Sequence, residues 1–170
     1  AVFPEGREDP GEWAAAVKRE GYRAAFCPVS PGVAEDVVRA YAAAAQRHDI
    51  IIAEVGAWSN PLAADDAVRR AALERCRQGL ALADAIGARC CVNISGSRGA
   101  KWDGPCAVNL TRDTFDLIVE TVRGIIDAVK PTRTFYTLET MPWMYPDSPE
   151  SYLQLIRAID RKAFAVPLDP

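Results

Sequence analysis

The chain has 170 residues, of which 49% are hydrophobic and 25% are charged, so it can bury the core of one globular domain. Its 20 Lys and Arg against 23 Asp and Glu give a formal net charge of -3, which offers no basic surface for a nucleic acid. No segment reaches the run of about 20 apolar residues that a membrane span needs, and the first residues do not read as a secretory signal. A cytoplasmic protein with neither a nucleic acid nor a membrane as partner is expected.

Cysteine content argues against a disulfide framework. The five cysteines are Cys27, Cys76, Cys90, Cys91 and Cys106. Their number is odd and none of them forms a CxxC pair, which also argues against a thiolate zinc site. The sequence therefore predicts reduced thiols in the core and in loops.

The first part of the chain predicts two helices, each followed by a strand. A capping-box pattern at Asp9 begins a helix that ends at Gly21, and residues 24–29 follow as an apolar strand. A second helix begins at Ser30, and its apolar residues recur every three or four positions. Residues 50–55 form the next strand.

The same alternation of helix and strand continues to the end of the chain. Three further helices are predicted to begin at Asp66, Thr111 and Ser148. The strands that follow them cover residues 89–94, 134–138 and 164–168. Five strands that alternate with five helices indicate an α/β protein with a parallel sheet.

Two architectures fit this alternation: an open doubly wound sheet, or a (β/α)8 barrel of which the chain supplies a part. A nucleotide-binding open sheet favours a glycine-rich turn after its first strand. Here the turn reads Ser30-Pro31-Gly32, which matches neither GxGxxG nor GxxxxGK[ST]. The barrel is therefore favoured.

Polar residues stand where the predicted strands end. These residues are Glu54, Asn93, Glu139 and Asp169. In either architecture ligands bind at the carboxyl ends of parallel strands. A carboxylate that leaves a buried strand is costly unless it is paired, hydrogen-bonded or bound to a metal. Each acid alone is also compatible with a helix cap or an ion pair, but the three together favour a site with oxygen ligands for a hard cation.

Residues 137–141 (Thr-Leu-Glu-Thr-Met) and residues 166–170 (Val-Pro-Leu-Asp-Pro) resemble the xylose isomerase-like TIM barrel superfamily of sugar isomerases, epimerases and their relatives. The resemblance implies that Glu139 ends the fifth barrel strand, that Asp169 ends the sixth, and that both bind one divalent metal ion, Mn2+, Mg2+ or Co2+.

The same resemblance implies how much of the barrel this chain supplies. Residues 1–170 would be a single domain with about strands two to six of a (β/α)8 barrel, incomplete at its C-terminus. A first strand would be reduced to residues 1–3 or lost, and the remaining His and Glu ligands would lie beyond the chain's end. An open set of strands exposes an edge and an apolar inner face, so a homo-oligomer is expected.

The activity implied by the resemblance is that of a metal-dependent sugar or sugar phosphate isomerase or epimerase, which moves a proton beside a carbonyl. Glu139 would be both a metal ligand and the acid or base. Glu54, Asn93, Trp58 and Trp143 are candidate contacts to the sugar, although ordinary packing is the alternative for each Trp.

Three other functions are compatible with parts of this pattern. A related sugar or inosose dehydratase would use the same site. A non-catalytic barrel fragment that binds a sugar or a partner is suggested by the ligands that the chain lacks. An abasic-site nuclease of the same superfamily needs several histidines and a basic groove, and a chain with one His and a net negative charge does not fit it.

Overall fold

The computed structural model describes residues 9–167, which form a parallel sheet and a layer of helices. The helices are α1 (Pro10–Arg19), α2 (Glu35–Arg47), α3 (Asp66–Ile86), α4 (Arg112–Val129) and α5 (Pro149–Ile159), with a 3-10 helix at Ala107–Leu110. The strand segments are β1 (Ala24–Ala25), β2 (Ile51–Ile52), β3 (Glu54–Gly56), β4 (Cys90–Asn93), β5 (Phe135–Leu138) and β6 (Phe164–Ala165). The strand predicted at residues 1–3 and the predicted ligand Asp169 lie outside the described residues.

The strands are parallel and follow one another across the sheet in chain order. β1 pairs with β2, and β3, β4, β5 and β6 pair in that sequence. Ala53 joins the two groups, because its N–H donates to the Ala25 oxygen at 2.8 Å and its own oxygen accepts from the Cys90 N–H at 3.2 Å. β2 and β3 are thus one interrupted strand. The order runs through the sheet without the reversal that a doubly wound sheet requires.

The helices form one layer in the same order. α1 packs on α2, α2 on α3, α3 on α4, and α4 on α5. In a doubly wound protein, helices lie on both faces of the sheet, whereas a barrel places all of them outside. The prediction of a partial (β/α)8 barrel is therefore confirmed. Within residues 9–167 no helix combines the length and the apolar character that crossing a membrane requires.

Local signals set the helix starts, with one exception. The Asp9 carboxylate accepts a hydrogen bond from the Glu12 N–H at 2.9 Å, as the capping pattern predicts. The predicted start of the second helix at Ser30 is wrong, because α2 begins at Glu35. Gly32 has a φ of 92°, a left-handed conformation that turns the chain before the helix can begin.

α3 makes its closest approach to the sheet at Gly79. A Cβ atom at this position would lie 3.1 Å from the Ala57 Cβ and 3.2 Å from the Cys91 Sγ. Ala57 and Cys91 are held by the sheet, so neither can move away easily. The missing side chain of Gly79 therefore sets the distance between the helix and the sheet.

We expect Gly79→Ala and Gly124→Ala to change stability in opposite directions. Gly124 lies on the exposed side of α4 with no atom within 4 Å of an added Cβ, so Ala there should raise the free energy of unfolding by about 0.5–1 kcal/mol. At Gly79 the same gain in helix propensity is offset by overpacking, which costs about 1–3 kcal/mol, so a net loss of about 1 kcal/mol is expected. Urea denaturation of both variants measures the difference. Equal stabilisation at the two positions would show that the contact between α3 and the sheet is loose.

Candidate active site at the carboxyl ends of the strands

β5 places Glu139 at the carboxyl end of the sheet, on the face away from the helices. Tyr136 and Leu138 are 0% and 1% exposed, and they face the helical layer. Side chains alternate along a strand, so Thr137 and Glu139 face the inner side. The Glu139 N–H donates to the Asn93 oxygen at 2.8 Å and so continues the pairing of β5 with β4. The partly exposed Glu139 side chain is therefore carried by a backbone that the sheet fixes.

Glu54 is the first residue of β3 and lies two residues before the carboxyl end of that strand at Gly56. In the ladder Glu54 is opposite Cys90, which is opposite Phe135. Four residues, about 13 Å along the strand direction, separate this level from Glu139. The predicted strand over residues 50–55 ends one residue before β3 does, so Glu54 lies near the strand end but is not its last paired residue. Glu54 and Glu139 therefore belong to different levels of the inner face.

A cleft of about 450 Å³ opens beside the carboxyl ends of β1 and β3. Glu54 and Trp58 both line it, together with Phe26 and Arg75. The volume is in the range of small-molecule sites. Two of the four predicted sugar contacts thus share one cleft. A larger cleft of about 750 Å³ lies at the amino ends of the strands. In (β/α)8 barrels, residues at this end contribute to stability and the active site lies at the opposite end.

The Asn93 side chain lies on the helix side of the end of β4. Its side chain is fully buried, its Oδ1 accepts from the Ser59 N–H at 3.1 Å, and its Nδ2 donates to the Cys76 Sγ at 3.3 Å. The hydroxyl of Tyr136 lies in the same cluster, and burial raises the pKa of this group well above its usual value. These contacts hold the loop after β3 against α3. The amide of Asn93 is not exposed at the mouth of the sheet, where a sugar contact was expected.

Trp143 ties two loops together. Its Nε1–H donates to the Asp103 oxygen at 2.8 Å, so the loop after β5 is bound to the loop after β4. The side chain is half-buried. The polar edge of this indole is therefore used within the protein, which corresponds to the packing alternative for this residue.

Asn109 organises the same pair of loops, and no sequence pattern singles it out. Its side chain is fully buried in the 3-10 helix, and its Nδ2 donates to the Ser97 Oγ at 3.1 Å, the Gly104 oxygen at 3.2 Å and the Trp143 oxygen at 3.3 Å. Its Oδ1 accepts from the Arg98 N–H at 3.0 Å. A single Asn in a polar loop has no periodicity, so only the fold reveals this role.

Asn60 makes a similar connection between the loops after β3 and β4. Its Nδ2 donates to the Ser97 oxygen at 2.7 Å, and its Oδ1 accepts from the Ser97 N–H at 3.1 Å. Gly96 has a φ of 95°, and a Cβ atom there would lie 2.2 Å from the Asn60 Oδ1. Buried amides therefore connect the loops that surround the carboxyl end of the sheet.

The described residues supply one of the two predicted metal ligands. Glu139 offers carboxylate oxygens, the donors that hard divalent cations prefer, and Asp169 lies outside the described part of the chain. Between residues 9 and 167, no group of three His, Cys, Asp or Glu side chains is arranged to hold a metal ion. Glu139 fits one ligand position, and the described residues do not complete a metal site.

Parallel strands in sequential order, covered by one layer of helices and carrying a carboxylate at their carboxyl end, define a partial (β/α)8 barrel, a fold whose ligand sites lie at that end. Residues 14–170 match the sequence pattern of the xylose isomerase-like TIM barrel family. The chain therefore belongs to this family. A comparison with curated proteins gives no match.

Solved structures of low sequence identity share the fold. A xylose isomerase-like TIM barrel protein from Mycobacterium smegmatis in complex with magnesium is 15% identical, with a TM-score of 0.62 over 94% of this chain and 56% of that chain. L-ribulose 3-epimerase is 16% identical, with a TM-score of 0.70 over 96% of this chain and 55% of that chain. D-psicose 3-epimerase in the presence of D-fructose is 14% identical, with a TM-score of 0.68 over 92% of this chain and 56% of that chain. The chain thus spans little more than half the length of each, and at these identities the likeness shows the fold.

Proposed function

We propose that the protein is a sugar or sugar phosphate isomerase or epimerase that moves a proton at the carbon beside a carbonyl. One observation carries the proposal: a chain of the xylose isomerase-like family places the Glu139 carboxylate on the inner face at the carboxyl end of β5. Two proteins of the same fold are named as ketose 3-epimerases, which supports this reaction class.

Glu139 would act as the acid or base. An ionised carboxylate takes the proton from the carbon beside the carbonyl, and the electron pair of that C–H bond passes into an enediolate. Return of the proton to the former carbonyl carbon, with transfer of the adjacent hydroxyl proton to the former carbonyl oxygen, gives the isomer. Return to the same carbon on its opposite face gives the epimer and requires an acid on that face. The pairing of the Glu139 N–H with β4 holds the carboxylate on a rigid element, as a precisely placed base requires.

Glu139 and Asp169 would hold a divalent metal ion, Mn2+, Mg2+ or Co2+. When bound, such an ion polarises the substrate carbonyl and adjacent hydroxyl, which makes the neighbouring proton more acidic. The carboxylate oxygens of both residues suit this type of cation. The complex of one similar structure with magnesium supports the choice of a hard divalent ion.

Glu54 and Trp58 are the residues that we propose to contact the sugar, since they line one cleft. A carboxylate accepts hydrogen bonds from hydroxyl groups, and an indole packs against C–H groups. Asn93 and Trp143 are left out of this set, because neither lines this cleft.

We expect the full-length protein to exchange the proton beside the carbonyl of a ketose with solvent when Mn2+ is present. Incubation of metal-depleted and Mn2+-loaded protein with D-fructose or L-ribulose in D2O tests this, with NMR to detect deuterium and chromatography to identify products. Deuterium at the carbon beside the carbonyl together with an isomer or epimer supports the proposal. Net loss of water would identify the dehydratase alternative. Sugar binding without any exchange would contradict an isomerase and support the alternative of a non-catalytic sugar-binding protein.

A further inference from the structure

Trp58 lies directly over Gly56 on β3. A Cβ atom at Gly56 would lie 2.5 Å from the Trp58 Nε1, 2.9 Å from its Cδ1 and 3.3 Å from its Cε2. Contacts shorter than 3.0 Å do not occur for real Cβ atoms, so the ring can hold this position only when residue 56 has no side chain. Gly56 does not have a positive φ, unlike Gly32 or Gly96. The position therefore requires glycine because of the ring and not because of the backbone.

The strand covers the indole only in part. Gly56 and Trp58 are two residues apart, so they share the inner face of the strand with Glu54. One side of the ring covers the backbone of the strand, yet Trp58 remains 40% exposed. The same three residues line the cleft of about 450 Å³. A flat apolar surface thus lies beside a carboxylate in a cleft of small-molecule size.

We propose that Gly56 is a positioning residue for substrate recognition, which lets Trp58 lie flat against β3 and present its outer face to the C–H face of a sugar while Glu54 accepts hydrogen bonds from sugar hydroxyls. This inference rests on the proposed function and adds to it the chemistry of recognition. The cleft selects a ligand that is apolar on one flat side and carries hydroxyl groups at its edge. A residue larger than glycine at position 56 displaces the ring from the strand, so the flat surface is no longer presented to the sugar.

The competing role for the ring is to cover the strand backbone at Gly56 without contacting a ligand. Both roles predict that Gly56→Ala displaces the indole. Only substrate recognition predicts that the displacement weakens sugar binding. The two roles are separated by measuring the position of the ring and the affinity for the sugar independently.

The experiment compares Gly56→Ala, Trp58→Ala and the double variant in the full-length protein. Near-UV circular dichroism and tryptophan fluorescence report on the ring, and D-fructose with Mn2+ is the probe for binding and turnover. We expect Gly56→Ala to alter the tryptophan spectrum and to raise KM for D-fructose about tenfold with little change in kcat. Trp58→Ala should raise KM by a similar factor, and the double variant should be no worse than Trp58→Ala, because both changes act through one ring. Gly124→Ala, at an open position on α4, is the matched control and should leave the spectrum and KM unchanged.

Two results with the variants would overturn the inference. The first is an unchanged affinity for D-fructose in Gly56→Ala although the spectrum shows that the ring has moved. The second is an equal loss on Gly56→Ala in the presence and absence of the Trp58 ring, which would mean that Gly56 acts by another route. Retained binding of D-fructose without turnover would overturn the isomerase proposal alone and leave this inference to be decided by binding. Absence of D-fructose binding to the unmodified protein would overturn both.

Discussion

Replacement of Glu139 by Gln is expected to reduce kcat for sugar isomerisation or epimerisation by about 10³-fold or more, since loss of a general base costs about 10²- to 10⁴-fold. The amide keeps the shape of the side chain but cannot accept the proton from carbon. It also removes a negative charge from the proposed metal site, so the affinity for Mn2+ should fall as well. Steady-state kinetics at saturating Mn2+ and a calorimetric Mn2+ titration measure the two effects separately.

Glu120→Gln is the matched control for this prediction. Glu120 lies on the exposed side of α4 and does not line the cleft beside β1 and β3, and the same chemical change there should leave kcat and Mn2+ affinity unaltered. Activity of Glu139→Gln close to that of the unmodified protein would remove Glu139 from the mechanism. A loss of activity with unchanged Mn2+ affinity would support Glu139 as the base and exclude it as a metal ligand.

The order of helices and strands could be predicted because each element carries its own local signal. The apolar positions of α4 recur every three or four residues, and the Thr111 side chain accepts from the Thr114 N–H at its start. The absence of a phosphate-binding turn after β1 also favoured the correct architecture. The late start of α2 could not be seen, because the left-handed conformation of Gly32 depends on how the loop packs.

The end of β5 at Glu139 could be predicted, whereas the level of Glu54 relative to Glu139 in the ladder could not. Glu139 ends an uninterrupted strand, so its position follows from the length of the apolar run. Glu54 follows a similar run, but the ladder changes partner at Ala53 and the strand continues beyond it. The register of parallel strands is set by the packing of the helices between them, and a single sequence does not contain that information.

The buried amides show a further limit of sequence reasoning. Asn60, Asn93 and Asn109 bind loop partners at separations that range from 5 to 37 residues along the chain, so no spacing rule links them. The prediction of Asn93 as a sugar contact rests only on its position at a strand end. Its buried side chain shows that a polar residue at a strand end can bind a loop on the helix side of the sheet and need not contact a ligand.

Asn109→Leu is expected to lower the free energy of unfolding by about 2–4 kcal/mol, because a buried hydrogen-bonding group is lost and its partners are left unsatisfied. Leucine has a similar size but neither donates nor accepts. The Arg98 N–H, the Gly104 oxygen and the Trp143 oxygen would each lose the buried Asn109 amide as a partner. Urea denaturation gives the loss of stability, and amide hydrogen exchange at Arg98 reports on the loop itself.

Asn109→Asp separates the loss of the hydrogen-bond acceptor from the loss of the hydrogen-bond donor. An aspartate keeps the acceptor for the Arg98 N–H but cannot donate to the Gly104 and Trp143 oxygens, so protection of the Arg98 amide should largely remain while the loop after β5 loosens. That loop begins immediately after Glu139, so kcat should fall in both variants even at temperatures where they stay folded, because a base placed about 1 Å away from its position loses about 10²-fold in rate. Equal stability of Asn109→Leu and the unmodified protein would show that the loops are held by other contacts. A loss of stability with unchanged kcat would show that Asn109 supports the fold but does not position Glu139.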